Sequence, residues 1–410
     1  MAVIGDRIGH RSETVRRANL SAIVGELHLH GPLSRSELGT RTGLTRSAVR
    51  GLIGELVAGG LAAEERSAPL GIPGRPSPLV RPRSESAVAL AFEISVDSLA
   101  MAVVGFGGAV HHRSRVDRPR AHLSLEAIIG DLVDLAARQV ASLRGSPALV
   151  GVGVAVAGIV RRGDGMVRLA PNLGWRDEPL AAVLAEALNL DVPVLVANEA
   201  DMAGLAENRR GAAAGADSVL HVTGEVGVGG VFLVGGRPFS GSAGYAGEVG
   251  HMPVHPAGAR CGCGSLGCWE TEVGERAMLT RSGQPPDGGR EAVSAVIAAA
   301  RRGDAQAVAA IDEVGTWLGI GLAGLVNVYN PAMVVLGGLF QRIHPLVADR
   351  IARVLDERAL RPSRDAVVIV PGLLGVDAPL LGAAELALEP LLVNPADRLS
   401  RVAKPALRTA

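Results

Sequence analysis

Cys261-Gly262-Cys263-Gly264-Ser265-Leu266-Gly267-Cys268 contains every cysteine of this 410-residue chain, and His251 precedes it in Glu248-Val249-Gly250-His251. Three soft thiolates and one imidazole make up the donor set of a closed tetrahedral zinc site. The glycines between them allow the tight backbone on which three sulfurs converge. Cysteines serving only as small buried apolar side chains would be scattered along the chain. A disulfide framework fits poorly with an odd count and a Cys-x-Cys spacing, and nothing at the N-terminus resembles a secretory signal.

Around this stretch the composition sets broad limits. Lys+Arg and Asp+Glu both number 41, so no net field recruits nucleic acid or a membrane to the whole chain. Residues 1–85 hold 12 Arg against 8 Asp or Glu, an excess of four positive charges at one end. Aromatic residues make up 2%, too few for platforms that stack single-stranded bases. The uncharged run Val314–Gln341 is long enough to span a bilayer, but Asn327, Asn330, Pro331 and several glycines interrupt it. It reads as a buried helix over Gly315–Tyr329, a break at Asn330-Pro331 and a buried strand over Ala332–Leu336. The chain is expected to be soluble and cytoplasmic, with no membrane partner.

The basic end has its own organisation. Val15, Leu20, Ile23, Val24 and Leu27 recur at helical spacing, and Gly31-Pro32 breaks the pattern. Ser34-Arg35-Ser36-Glu37 is a capping box that opens a short second helix ending near Gly43. Thr45 caps a third helix that buries Val49, Leu52, Ile53 and Leu56 and turns Arg46, Ser47 and Arg50 outward. Two short helices about a glycine turn, the second with a basic N-terminal half, form the helix-turn-helix layout. Ser36, Thr45, Arg46, Ser47 and Arg50 are its candidate DNA contacts. The stretch 71–76, Gly-Ile-Pro-Gly-Arg-Pro, reads as a basic wing tip in which Arg75 is aimed at phosphates or the minor groove. A small helical bundle that binds protein or caps a dimer is the competing reading.

From Ala87 strands alternate with helices, which implies an α/β fold. Strands are expected within Ala87–Gly105, Leu149–Val160 and Val192–Ala197, and helices at Leu125–Leu143, Leu180–Leu188 and from Ala200 to Arg210. A second unit has strands at Ser218–Val222, Gly229–Leu233 and Ala332–Leu336, with helices around Arg290–Arg302 and Gly315–Tyr329. Two such units with a cleft between them suit a small-molecule site. Asn198-Glu199 lies just past a strand end, where α/β sheets bind ligands, and Glu248, His251 and Glu270 flank the cysteine stretch. Asn and Glu side chains together suit a polyhydroxylated ligand, although each alone also reads as a surface or cap residue. The glycine runs Thr223–Gly230 and Leu336–Leu339 read equally as phosphate loops or as tight turns.

Together these motifs resemble the ROK family (repressors, open reading frames, kinases) over roughly residues 10–390. The resemblance implies an N-terminal winged helix-turn-helix at 11–82, then a bilobal actin-like, sugar-kinase-like ATPase fold. The first lobe would cover 87–197, completed by a C-terminal helix at about 376–392. The second, carrying the zinc site, would cover 198–375, and the tail 393–410 is expected to be poorly ordered. By similarity, His251, Cys261, Cys263 and Cys268 bind structural Zn2+, and Gly158, Asn172, Asn198, Glu199, Glu248, His251 and Glu270 line a sugar pocket.

The departures from the family kinases are chemical. Their first phosphate loop is Asp-x-Gly-Gly-Thr, and here the matching stretch is Glu93-Ile94-Ser95-Val96-Asp97. Side chains replace glycines that must lie against phosphates, and Asp97 adds negative charge beside a polyanion. The kinases' Asn-Asp pair is Asn198-Glu199, which puts a longer carboxylate at the base position. The second loop, Gly-Thr-Gly-Ile-Gly in kinases, reads Thr223-Gly224-Glu225-Val226-Gly227. The sequence thus points to a sugar-responsive repressor, homodimeric or tetrameric on operator DNA, that needs no ATP and carries out no catalysis. The alternatives are an ATP-dependent hexose kinase with an added DNA-binding unit, and a regulator whose N-terminal unit binds protein.

Overall fold

The computed structural model describes residues 4–402 apart from 66–76, 121–122, 145 and 147. The N-terminal unit has helices Ile4–His30, Arg35–Thr42 and Arg46–Ala58 and a small antiparallel sheet. In that sheet Leu79–Pro82 lies between Leu33–Ser34 and Ala62–Glu65. Both expected caps form. Ser34 and Glu37 close a reciprocal capping box, and the Thr45 side chain accepts from the Ala48 amide. Gly43 ends the short helix at φ 69°, a left-handed conformation that costs glycine little. Three helices with this sheet make a winged helix-turn-helix arrangement. The expected wing tip 71–76, with Arg75, lies outside the described residues.

The two lobes repeat one topology. Numbered in chain order within each lobe, both five-stranded sheets run 5-4-1-2-3, with strand 4 parallel to its two neighbours. Lobe I orders Val194–Asn198, Leu149–Val156, Val88–Ile94, Ser98–Gly105 and Val110–Asp117. Lobe II orders Val368–Pro371, Met333–Gly337, Ser218–Gly224, Val228–Val234 and Arg237–Pro238.

The glycine-interleaved run in lobe I has a packing cause. Alternate residues of a strand face opposite ways. Val152, Val154 and Val156 pack with helices Leu125–Leu143 and Leu180–Leu188 on one face. Gly151 and Gly153 face helix Ala378–Val393 on the other, where a Cβ would come within 2.8 Å of the Ala387 carbonyl oxygen and 1.9 Å of that of Ala383. Only glycine lets this helix lie so close to the lobe I sheet. Helix Glu199–Arg210 packs beside it, and the two lie between the sheets.

The uncharged stretch of lobe II covers strand Met333–Gly337, the start of helix Gly338–Arg358 and the C-terminal part of helix Ala305–Tyr329, which starts ten residues before the expected Gly315 because Asp304 caps Ala307. Helix Ala305–Tyr329 is long and apolar enough to cross a bilayer. Its buried face packs against helix Gly338–Arg358 and Trp269, and Asn330 ends it at φ 44°. A three-stranded sheet over Ile159–Arg161, Met166–Ala170 and Trp175–Glu178 was not foreseen. Of the tail 393–410, residues 403–410 lie outside the described residues. Pro395–Val402 is helical, and Leu399 packs against Gly59 of the N-terminal unit, an apolar contact that the polar composition of the tail conceals. Leu20, Ile23, Val24 and Leu27 share one core with Ala87, Phe106, Leu388 and Leu391, so the N-terminal unit is seated on lobe I.

Trp269 connects the lobe II core to the cysteine stretch. Its side chain is fully buried, its indole N–H donates to the Trp317 carbonyl at 2.8 Å, and a Cβ at Gly321 would come within 2.1 Å of its ring. Gly321→Ala is therefore expected to destabilise the protein by about 1–3 kcal/mol through overpacking. The check is the denaturation midpoint of lobe II; an unchanged midpoint would contradict this packing.

Candidate ligand and metal site

A cavity of about 470 Å³ opens between the lobes. Its lining includes all seven expected sugar residues, Gly158, Asn172, Asn198, Glu199, Glu248, His251 and Glu270, together with Ser95, Asp97, Thr223, Glu225 and Cys263. The unforeseen small sheet supplies part of this wall. Asn172 sits in the turn between its last two strands. At Gly158 a Cβ would come within 2.7 Å of Ala170, so glycine lets that sheet close on the lobe.

Asn198 ends a lobe I strand and caps helix Glu199–Arg210. Its Oδ1 accepts from the Ala200 and Asp201 amides at 2.7 and 3.3 Å, and its Nδ2 donates to the Gly158 carbonyl at 2.9 Å. One amide hydrogen remains for a ligand. The side chain thus fixes the helix start and the Gly158 turn in one geometry.

The cysteine stretch forms the other wall. The donor atoms of His251, Cys261, Cys263 and Cys268 all lie within 4.8 Å of one another, an arrangement that could hold a metal ion. Cys263 Sγ is 3.7 Å from Cys268 Sγ, and Cys261 Sγ is 3.6 Å from His251 Nδ1. A tetrahedral zinc with Zn–S bonds of about 2.3 Å places its sulfurs about 3.8 Å apart, so the donors fit such an ion. The spacing glycines have specific tasks. Gly264 and Gly267 adopt φ 96° and 65°, and a Cβ on Gly267 would come within 1.6 Å of the His255 carbonyl oxygen.

His251 faces both sites. Nδ1 points to Cys261, while Nε2 lies 3.9 Å from Glu248 Oε2 on the cavity side. Glu270 Oε1 accepts from Cys261 Sγ at 2.8 Å and lies 3.7 Å from His251 Nδ1. Burial pushes the Glu248 carboxyl up, opposed by His251. A support behind this wall had no sequence signal. His255 stacks on Trp317 and bonds Glu272 at 2.9 Å, and Glu272 meets Arg281 at 2.6 Å.

Around Asp97, Glu199 and Glu225 the cleft is acidic and internally paired. Burial, reinforced by Glu225 and Glu93, pushes the Glu199 carboxyl up to about 8. Although solvent reaches part of Glu199 and Glu225, both lie deep in the cleft. Burial pushes Glu225 up to about 7. Asp97 occupies the turn between two lobe I strands and pairs with Arg290 at 2.9 Å and Arg120 at 3.2 Å. Arg120 in turn reaches Glu275 at 2.6 Å. Arg290 and Glu275 belong to lobe II, so these pairs cross between lobes. Arg120, Glu275 and Arg290 were missed, since single charges far apart in sequence carry no local motif.

The candidate DNA contacts lie elsewhere, on the N-terminal unit. Ser36, Thr45, Arg46, Ser47 and Arg50 are exposed, and neither Arg46 nor Arg50 forms an ion pair among the described residues.

Comparison with known proteins agrees with this architecture. A xylose repressor of Bacillus spizizenii is 27% identical over 383 residues, covering 92% of this chain and 97% of the repressor. A glucokinase of Streptomyces coelicolor is 33% identical over 279 residues, 63% of this chain and 86% of the kinase. Among solved structures, a ROK family transcriptional regulator, a homolog of the E. coli MLC protein, superposes with a TM-score of 0.77 at 22% identity, covering 95% of this chain and all (100%) of that one. A Streptomyces griseus glucokinase in complex with glucose and AMPPNP gives a TM-score of 0.63 at 29% identity, covering 74% of this chain and 100% of that one. The ROK family model matches residues 89–390, and with two lobes of one topology around the expected cavity, the chain belongs to the ROK family.

Proposed function

We propose that this protein is a sugar-responsive transcriptional repressor that binds operator DNA through its winged helix-turn-helix and a sugar through the interlobe cavity, without phosphorylating it. One observation carries the reading. The would-be phosphate cleft holds Asp97, Glu199 and Glu225 with its arginines already paired, while the sugar wall and the exposed basic helix are intact. A triphosphate entering there would meet carboxylates in place of glycine amides. Burial, with Glu225 and Glu93 beside it, pushes the Glu199 carboxyl up to about 8, and the longer side chain of glutamate shifts the carboxylate from the place an aspartate would hold it against a sugar hydroxyl. The similarity to xylose repressors over nearly the whole chain supports the same reading.

In this proposal His251, Cys261, Cys263 and Cys268 hold a structural Zn2+, and Gly158, Asn172, Asn198, Glu199, Glu248, His251 and Glu270 contact the sugar. The ion would fix the loop that presents Glu248 and His251. Ser36, Thr45, Arg46, Ser47 and Arg50, with Arg75 of the wing, face DNA. A homodimer or tetramer would pair two recognition helices on one pseudo-palindromic site. The glucokinase similarity supports a second reading, an ATP-dependent hexose kinase with an added DNA-binding unit.

A panel of pentoses and hexoses separates the two. At least one sugar is expected to raise the melting temperature, since a ligand of the native state stabilises it. Incubation of the same panel with ATP and Mg2+ is expected to give no sugar phosphate, and turnover at an enzymatic rate would establish the kinase. Chelation should reduce or abolish the thermal shift by the binding sugar, with recovery on adding Zn2+; an unchanged shift after metal removal would refute the bracing role. Arg50→Ala should weaken operator binding by about 1–3 kcal/mol and relax sequence preference, with sugar affinity unchanged. Equal losses on all DNA sequences across a salt series would refute base readout by Arg50.

A further inference from the structure

We propose that helix Glu199–Arg210 is the transmission element that couples the interlobe cavity to the N-terminal unit. The inference rests on reading the chain as a ligand-controlled DNA-binding regulator. It assigns the route by which that control travels.

Three grips on one rigid element carry it. At the first turn, Asn198 caps the helix and ties it to Gly158, while Glu199 faces the cavity. Near its end, buried Glu207 accepts from the Leu373 and Leu374 amides of lobe II at 3.1 and 2.8 Å. At the last two residues, Arg209 and Arg210 both pair with buried Glu385 of the C-terminal helix. Glu385 also bonds His28 Nε2 at 2.8 Å, and Arg210 donates to the His28 carbonyl at 3.2 Å. His28 belongs to the helix Ile4–His30 that carries the N-terminal unit. Twelve residues at about 1.5 Å each make a strut about 18 Å long between cavity and junction.

The junction has little slack. The Gly107 amide donates to His28 Nδ1 at 3.1 Å, and His28 Nε2 lies 2.8 Å from Glu385 Oε2 and 2.7 Å from Arg210 Nη2. His28 stacks on Phe106 with ring centroids 5.8 Å apart. A Cβ on Gly108 would come within 2.2 Å of the Arg210 guanidinium. Along the strut, a Cβ on Gly382 would come within 1.9 Å of the Met202 carbonyl oxygen, so the two helices lie in direct backbone contact with no room for an intervening side chain. A ligand that alters the lobe angle therefore moves Glu207 with lobe II and carries Arg209 and Arg210 against the seat of His28. Control needs only that the ligand prefer one of the two positions.

The test uses full-length, Zn2+-supplemented protein and amide hydrogen exchange over Gly25–His30, a readout that needs no DNA. Asn198→Ala loosens the cavity end without any sugar. In otherwise native protein it should raise exchange over Gly25–His30 several-fold, with helix Gly289–Arg301 of lobe II unaffected. In the Arg210→Gln background the same substitution should change nothing there. Glu385→Gln provides a second background should Arg210→Gln fail to fold. Equal effects of Asn198→Ala in native and variant backgrounds, or no effect in native protein, would overturn the inference. D-xylose and D-glucose form the ligand arm. A sugar that shifts the melting temperature should alter exchange over Gly25–His30 in native protein and leave it unchanged in Arg210→Gln, which still binds that sugar. If the coupling between Asn198 and Arg210 holds while no sugar binds, the sugar reading falls and the transmission route stands.

Discussion

A carboxylate sealed from water persists as an anion only where positive charge and hydrogen-bond donors enclose it. Glu385, 1% exposed, meets that condition with groups from separate parts of the chain. Burial raises its pKa, but His28 and the guanidiniums of Arg210 and Arg209 outweigh it and hold the group well below the usual carboxylate range. Those partners come from the N-terminal helix and from the helix that starts at the cavity. The charge is satisfied only when all three segments are docked. Removing one partner of such a buried set strands the others, at a typical cost of about 3–5 kcal/mol. The seating of the N-terminal unit on lobe I, and the position of the helix that lines the cavity, both depend on this enclosure.

The interlobe cleft follows a related rule with a different outcome. Phosphate sites work by presenting backbone amides and cations to a polyanion. Here the equivalent loops present carboxylates, and Arg120 and Arg290 compensate them by pairing with Asp97. The Asp97–Arg290 and Arg120–Glu275 pairs join the lobes directly, so charge holds this boundary together. Glu199 and Glu225 are left without a full complement of cations and are pushed up towards neutrality. The cavity wall next to them is built differently, on a capped helix start, a glycine turn and a cysteine-rich loop fixed by His255, Glu272 and Trp269. The charges of one wall can thus change while the other keeps its geometry.

Much of this was legible in the residues because the signals were local. Caps at Ser34 and Thr45, the helical spacing of Val49, Leu52, Ile53 and Leu56, and the clustering of three cysteines each depend on neighbours a few positions apart. Even the departures at Ser95, Val96, Asp97 and Glu225 needed only the chemistry of the substituted side chains. The helix Pro395–Val402 was not foreseen because it is stabilised by Leu399 against Gly59, a contact 340 residues apart. The small sheet behind Asn172 was invisible because its strands span three to five residues and close on a glycine.

The sequence by itself determined the helix-turn-helix, the cysteine cluster and the alternation of strands and helices, because periodicity, caps and ligand spacing are written along the chain, and its resemblance to the ROK family implied the sugar-kinase-like fold and the residues that line one cavity. Tertiary structure alone decided which charges meet. Asp97 with Arg290, and Glu385 with His28 and Arg210, are separated by 175 to 357 positions, and no local pattern predicts such pairs. Burial makes them compulsory, since a charge removed from water needs a partner wherever the fold can supply one. That requirement places the cavity and the N-terminal unit at opposite ends of a single helix.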